Sequence, residues 1–276
     1  MNSTPLDIDA IPAAYADNPT LQLLDARSST RTFAKDAPIT DDQRTAVLHA
    51  ASRAPSAGAM MMYSILDIRE QATLDRLAVL CDNQPMIAKA PWALIFVVDY
   101  AKWIDLFEHT GCYEPEFVEA TGKAPQRTPG LGEFGIAAQD AVIAAQNAAI
   151  AAEAVGLGSC YIGDVLEQAE QMRELLDLPV HTLPLSMLII GKPNKPRPAT
   201  PHPVEGLVMG EHYRRADEAT LDAQVAEMDA KFRPHAKAAG ERVHDIYTRK
   251  HTSDFMREMG RSMGLWLKNW LGERWE

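Results

Sequence analysis

Cysteine is scarce in this chain, and what there is shows no pattern. Cys81, Cys112 and Cys160 form no C-x-x-C pair, so neither a disulfide framework nor a thiolate zinc site is expected, and a reducing, cytoplasmic setting fits best. Histidine is no more suggestive. None of the eight stands in H-x-x-x-H or similar ligand spacing, and no metal site is expected. Long hydrophobic runs are missing too. Without about 20 consecutive apolar residues no membrane span is expected, and the opening Met1-Asn2-Ser3-Thr4-Pro5 lacks the basic-then-apolar pattern of an export signal. Positive charge is in deficit: 27 Lys and Arg stand against 38 Asp and Glu, a net charge of -11. That balance excludes a general nucleic-acid binder, whose ligand demands a positive field. It leaves room for a local basic pocket. What is present is an ordinary globular composition, 46% hydrophobic and 24% charged over 276 residues, enough for a substantial core in one large domain or two small ones.

The pattern along the chain alternates helices with short apolar strands. Residues 20–25 read as a short helix after Pro19, and residues 39–53 as a clearer one. In the second, Thr40 and Gln43 have capping-box spacing, Ala46, Val47, Ala50 and Ala51 share a face, and Pro55 ends the pattern. Residues 63–68 and 92–98 are strands; the second is continuously apolar, as a strand covered on both faces should be. Residues 133–155 form a long helix with so little polar surface that burial nearly all round is expected, in a core or at a subunit interface. Strands at 159–162 and 185–190 flank a helix near 165–176. The whole points to an α+β or α/β sheet domain. Residues 110–132, polar and rich in Gly and Pro, read as a surface excursion or lid. Residues 192–206 carry five prolines and read as an extended arm. A charged helix is expected at 217–232 and a last one at 254–271. That last helix sets Met256, Met259, Met263, Trp266 and Trp270 at helical spacing, which favours packing on the same or a partner subunit over a membrane-surface anchor.

Chemistry concentrates in three places. Arg27-Ser28-Ser29-Thr30-Arg31 puts two guanidinium groups four residues apart with hydroxyls between them, a donor set suited to phosphate. Lys195-Pro196-Arg197 stiffens two cations around a proline. The run from Gly156 to Asp164 brings glycines that let a backbone approach a flat ligand, yet no G-x-G-x-x-G opens a helix after a strand, so it is not the dinucleotide fingerprint. The plainer reading of that run is a helix cap followed by a buried strand, and the two are compatible. Each basic cluster alone reads equally as a solvated surface.

Taken together, four collinear segments resemble the nitroreductase family. Arg27-Ser28-Ser29-Thr30-Arg31-Thr32-Phe33 is similar to its R-x-S-x-[RK]-x-F opening, and Arg53-Ala54-Pro55-Ser56-Ala57-Gly58 to its A-P-S-[SA]-G segment. The stretch from Glu153 to Gly163 is similar to its E-x-x-G-[LI]-G-[ST]-C-x-[IP]-G, and Lys195-Pro196-Arg197 to its late K-x-R. The resemblance spans about residues 20–200. It implies an α+β fold with a nitroreductase-like central mixed sheet flanked by helices, with a flavin domain over residues 1–200 and a C-terminal extension over 201–276. It implies a homodimer with two FMN sites at the subunit interface, and NAD(P)H as reductant. The chemistry implied is ping-pong, with a small acceptor such as a nitroaromatic or quinone. By position, Arg27, Ser29, Lys195 and Arg197 would hold the FMN phosphate, with Ser28 beside them. Arg31 would lie near the N1/C2=O end of the ring. Tyr161, Ile162 and Gly163 would run along the cofactor, with the Gly163 N–H near N5. Pro55, Ser56 and Gly58 would line it from the other subunit, and Gln84 would touch the ring edge.

The chain departs from the family after Gly58. Ala59 and Met61 stand where many members have Asn and Gln, inside the apolar string Ala59-Met60-Met61-Met62. That removes polar contacts to a flavin, and the methionines read best as soft packing at a dimer interface. No acid–base pair or nucleophile stands out, so no catalytic side chain is assigned; a flavin would supply the chemistry itself. Two other readings stay open: a specialised flavin reaction such as reductive dehalogenation, and a non-catalytic flavin-binding dimer.

Overall fold

The computed structural model describes residues 8–195, 199 and 202–275. They fall into two compact units, one of Ser29–Pro196 with Glu258–Glu276, the other of Met1–Ser28 with Arg197–Arg257. A split at residue 200 does not coincide with these units, because both chain ends cross it.

The larger unit is built on a four-stranded sheet, β1 (Tyr63–Ile68), β2 (Trp92–Asp99), β3 (Gly158–Ile162) and β4 (Thr182–Gly191), in the order β1-β2-β4-β3. A mixed sheet was expected; among the described residues the paired strands are antiparallel. The parallel element among the described residues is a single bridge, Ser29 to Ser159. β2 is buried from Trp92 to Val98, which is why its sequence shows no alternation. β4 begins three residues earlier than expected. Its Pro184 pairs with Val97, and the register skips Leu185 at that point; a bulge is where a sheet tolerates a residue without an N–H.

The helices of this unit are α2 (Asp41–Ser52), α3 (Gln71–Leu80), α4 (Pro85–Ala88), α5 (Ala101–His109), α6 (Pro115–Thr121), α7 (Leu131–Ala154), α8 (Ala169–Leu175) and most of α11 (Asp254–Trp270). The expected capping box of α2 is present, with the Gln43 N–H donating to Thr40 Oγ1 at 3.2 Å and the Thr40 N–H to Gln43 Oε1 at 3.0 Å. α7 lies against all four strands. Alanines at 137, 141, 144, 145, 148, 149 and 152 form its buried face, and their small side chains let the helix approach the sheet closely. Burial is not all round, however. Ile136, Val142 and Ile143 remain exposed on the other face.

The excursion at 110–132 is not structureless. It contains α6, with Pro115 in its first turn; Arg127 stacks on the Tyr113 ring at 4.2 Å. Its far end is fixed where Trp270 donates to the Gly130 carbonyl at 2.9 Å. Trp270 packs edge-on against Tyr100, so this anchor sits at the Asp99–Thr182 end of the sheet. The last helix is a core element: Trp266 and Trp270 are fully buried, and Trp266 donates to the Leu166 carbonyl. A membrane-surface role for that face is therefore set aside. No helix among the described residues is long and apolar enough to cross a membrane.

The smaller unit holds α1 (Pro19–Ala26), α9 (Glu218–Phe232) and α10 (Glu241–Ile246). Carboxylates organise it. Glu227 accepts from the Val204 and Glu205 N–H groups and pairs with Lys231 at 2.9 Å. Asp245 gathers Arg233, Arg242 and Arg249. The proline-rich arm is described only in part, since residues 196–198, 200 and 201 lie outside the described residues.

Candidate functional site

The first motif meets the start of β3 and the segment that leads into the last motif. Ser29 bridges Ser159, and the Thr30 N–H donates to the Ser159 carbonyl at 2.8 Å. Further along, the Ala34 N–H donates to Lys192 at 2.9 Å and the Asn194 N–H to Thr32 at 3.1 Å, with Phe33 bridging Pro193. Segments from far apart in sequence are thus zipped together by backbone hydrogen bonds. Two glycines permit it. A Cβ on Gly158 would run into Thr30 Oγ1 and come within 2.9 Å of Pro193 Cγ, and one on Gly191 would lie 2.6 Å from Phe33 Cδ1. The Phe of the opening motif is therefore a buried peg, and it fixes the strip that carries Arg31. Both Arg31 and Lys195 are exposed, and neither pairs with a carboxylate among the described residues. Ser159, fully buried between the strip and β4, has a hydroxyl with no hydrogen-bond partner.

β3 then runs from this cationic end toward Gly163. The Tyr161 hydroxyl donates to Gln146 Oε1 at 3.2 Å, while Ile162 is buried. Gly163 opens a 3-10 turn, Gly163–Leu166, and is exposed; nothing lies within 4 Å of where its Cβ would be. As the first residue of a helical turn, its N–H has no partner inside that turn. A flat group can therefore lie against this backbone. Gln84 caps α4 in the turn that follows α3. That turn faces the same segment, since burial first, then Asp164 and Glu167, push the nearby Cys81 thiol well above its usual range. Cys81 is an inert core thiol here.

The A-P-S-A-G segment lies elsewhere. It leads into β1, at the opposite edge of the sheet from β3, about three strand spacings or ~14 Å away. A single chain does not set Ser56 and Gly58 beside Gly163. Nor is the Ser56 hydroxyl free: it donates to Asp140 Oδ2 at 2.7 Å and accepts from the Met61 N–H at 2.6 Å. Beside this loop is a hollow of about 470 Å³ lined by Met60, Met61, Tyr63, Trp103 and Leu106, with Lys102 at its wall. Burial lowers the Lys102 pKa, against the pull of Asp99 and Asp140.

Arg27 and Ser28 belong to the smaller unit, where Arg27 is the residue that ends α1; Arg197 lies outside the described residues. Sequence reading gave no role to Ser159 or Asp140. For Asp140 a signal existed: an acid on the alanine face of a buried helix must find donors, because an uncompensated buried charge is costly.

This arrangement places a cationic strip at one end of an edge strand and an open glycine backbone at the other. The fold is that of nitroreductase A from Vibrio parahaemolyticus, matched with a TM-score of 0.72 at 23% identity over 89% of this chain and 96% of that one. The sequence pattern of the Nitroreductase family matches residues 24–192. Among curated relatives, the oxygen-insensitive NADPH nitroreductase of Salmonella typhimurium is 33% identical over 214 residues, 76% of this chain and 82% of the relative. The FMN reductase [NAD(P)H] of Bacillus subtilis is 29% identical over 75% of this chain and 79% of its own. The chain belongs to the nitroreductase family.

Proposed function

We propose that this protein is an FMN-dependent NAD(P)H oxidoreductase that reduces a small nitroaromatic, quinone or related acceptor by a ping-pong mechanism, as a homodimer in a reducing cytoplasm. The observation that carries this reading is the zipped strip of Ser29 to Ala34, held by Ser159 at the start of β3 and by Lys192 to Asn194, with open Gly163 at the other end of β3. From Ser159 to Gly163 the strand spans about 13 Å at 3.3 Å per residue. A phosphate held at the cationic end thus leaves a ring free to lie near Gly163. Ser29 and Lys195 hold the phosphate in this reading, with Arg27 and Arg197 included on the family resemblance alone. Arg31 supplies positive charge to the pyrimidine side of the ring. Bound FMN supplies the two-electron chemistry between NAD(P)H and acceptor. The residues bind and orient it, and the Gly163 N–H holds a hydrogen bond at the ring.

The position of the A-P-S-A-G loop at the far sheet edge supports the dimer, because a second copy is needed to bring Ser56 and Gly58 to the same ring. The excursion at 110–132 gates acceptor entry; shortening it should move the acceptor KM and leave FMN retention intact, and loss of FMN with unchanged kinetics would count against it. The central test is anaerobic addition of NADH or NADPH to the purified yellow protein. Bleaching, followed by recovery of colour with a quinone, is the expected result; a stable yellow colour would leave a passive flavin binder. The phosphate assignment has its own control. Lys195→Ala should weaken FMN about tenfold, for the loss of one charge-assisted hydrogen bond, and leave riboflavin affinity unchanged. Equal loss for both ligands would remove Lys195 from the phosphate.

A further inference from the structure

The loop between α2 and β1 is organised around one buried carboxylate. Asp140, 3% exposed on the alanine face of α7, accepts from the Ala57 N–H at 3.0 Å with one oxygen, and from Ser56 Oγ at 2.7 Å and the Met62 N–H at 3.3 Å with the other. The rest of the loop closes on itself. The Ala59 N–H donates to Ser56, the Met60 N–H to Ala57 and the Tyr63 N–H to Met61, while Trp103 Nε1 donates to the Met60 carbonyl. Three of its residues sit at positive φ: Gly58 at 56°, Ala59 at 56° and Met61 at 48°. For Ala59 and Met61 this conformation is unfavourable by about 1–2 kcal/mol each, so the carboxylate and the tryptophan hold the backbone where it would not go unaided.

One donor is left over. From Ala57 to Tyr63, every backbone N–H has a partner within the structure except that of Gly58, which is exposed. The side chains that follow, Ala59 and Met61, offer no polar atom to a flavin. We infer that Asp140 is a positioning residue for the flavin site: it fixes the Ser56–Met62 loop so that the loop's contact with the cofactor is made by the Gly58 backbone N–H, in place of the side-chain amides this chain lacks. This rests on the flavin reading above.

The phosphate is held elsewhere, so the loop serves the ring and its sugar chain alone. Disturbing it should weaken FMN and riboflavin by the same factor, unlike a change at Lys195. The experiment compares wild type, Ser56→Ala and Asp140→Asn as purified full-length proteins. FMN and riboflavin affinities are read by flavin fluorescence, bound-flavin geometry by visible circular dichroism, and stability by thermal denaturation. Asp140→Asn puts a donor where the loop presents donors. Ser56→Ala leaves the carboxylate its two backbone partners, and keeps the test open should the other variant not fold. Expected is a loss of about tenfold for both flavins, as for one hydrogen bond, with an altered visible spectrum. Adding Ala59→Asn to Ser56→Ala should recover flavin affinity without recovering the stability lost with the Ser56–Asp140 hydrogen bond, since Asn accepts a positive φ and brings its own amide. Unchanged affinities and visible spectra, with only a lowered Tm, would reduce Asp140 to a residue of fold stability and overturn the inference. Failure of wild type to bind either flavin would overturn the flavin reading itself, and would be seen before any variant is compared.

Discussion

A single methyl group at position 158 would part the two strips that make the cationic end. The Cβ of an alanine there would collide with Thr30 Oγ1, come within 2.8 Å of Thr30 Cβ and approach Pro193 at 2.9 Å. None of these neighbours is the free end of a long side chain, and both are pinned by backbone hydrogen bonds on either side. Overpacking of this kind costs about 1–3 kcal/mol. Gly158→Ala is therefore expected to lower Tm and also to weaken FMN, because it displaces Thr30 and Pro193 and with them Arg31 and Lys195. A variant with full FMN affinity and a lowered Tm would show that the strip's spacing does not matter to the phosphate. Gly163→Ala is the contrasting case. With open space around its Cβ, it should leave Tm nearly unchanged and alter only what lies against it.

Among the elements, α11 shows how a pattern can be legible while its meaning is not. Its methionines and tryptophans at helical spacing announce an apolar face, but nothing local says which surface covers it. In the structure Trp266 and Trp270 are core residues, and truncating either to alanine should cost about 3–5 kcal/mol. An ionic lock beside them makes the docking pH-dependent. Arg261, and after it Ser262, hold the Glu258 pKa down from 4.5 to about 2. Arg261 bonds Glu170 on α8 as well, at 2.7 Å, and the Glu258 carboxylate accepts from the Gln168 N–H at 3.2 Å. A carboxylate with a depressed folded pKa contributes stability that is complete above its unfolded value and is lost as pH falls. The Tm advantage of wild type over Glu258→Gln should hold at pH 6 and shrink between about pH 4.5 and 2. A constant gap across that window would mean the carboxylate contributes through shape alone. The other elements divide by the strength of their local signal. β2, α2 and α7 were readable because an unbroken apolar run, a capping box and an alanine-rich stretch are each local. α3 was passed over although Leu74, Leu77 and Ala78 repeat at helical spacing and are buried. α5 gave less to read, being short and without a fully buried residue. The start of β4 was hidden by Pro184, whose place at a bulge depends on a partner strand. The same distinction holds in the site. Motif order named Ser29, Arg31, Gly163 and Lys195 as candidates. That Ser56 is committed to Asp140 depends on a helix more than 80 residues away, which spacing along the chain cannot express.

At the scale of the molecule, apolar surface is left over. Ile136 and Ile143 stand seven residues apart on one face of α7, with Val142 beside them, exposed at 46%, 38% and 49%. The smaller unit exposes Leu207 and Val208 at 68% each and Tyr213 at 81%. A helix that gives its alanines to its own sheet and its larger aliphatic residues to solvent is built for a second partner, since contiguous apolar patches on a monomer are rarely left open. The dimer is expected to be obligate for the cofactor as well as for solubility, because the Gly58 loop and the Gly163 edge are at opposite sides of one sheet. Replacing Val142 and Ile143 together with Glu and Lys introduces charge on this stripe without touching any residue assigned to FMN. Sedimentation at low micromolar concentration should give a wild-type dimer with bound flavin, and a variant that is largely monomeric and has lost its yellow colour. Thermal denaturation of the wild type should also shift upward with protein concentration, as mass action requires of a folded state that exists only when associated. The order of these losses is informative. If the double variant were monomeric yet retained FMN with wild-type affinity, one chain would suffice for the site, and the loop at the far sheet edge would have no part in it. If wild type itself sedimented as a folded, flavin-loaded monomer, the exposed face of α7 would be a surface without a partner, and the reading of that helix as a shared interface would fall.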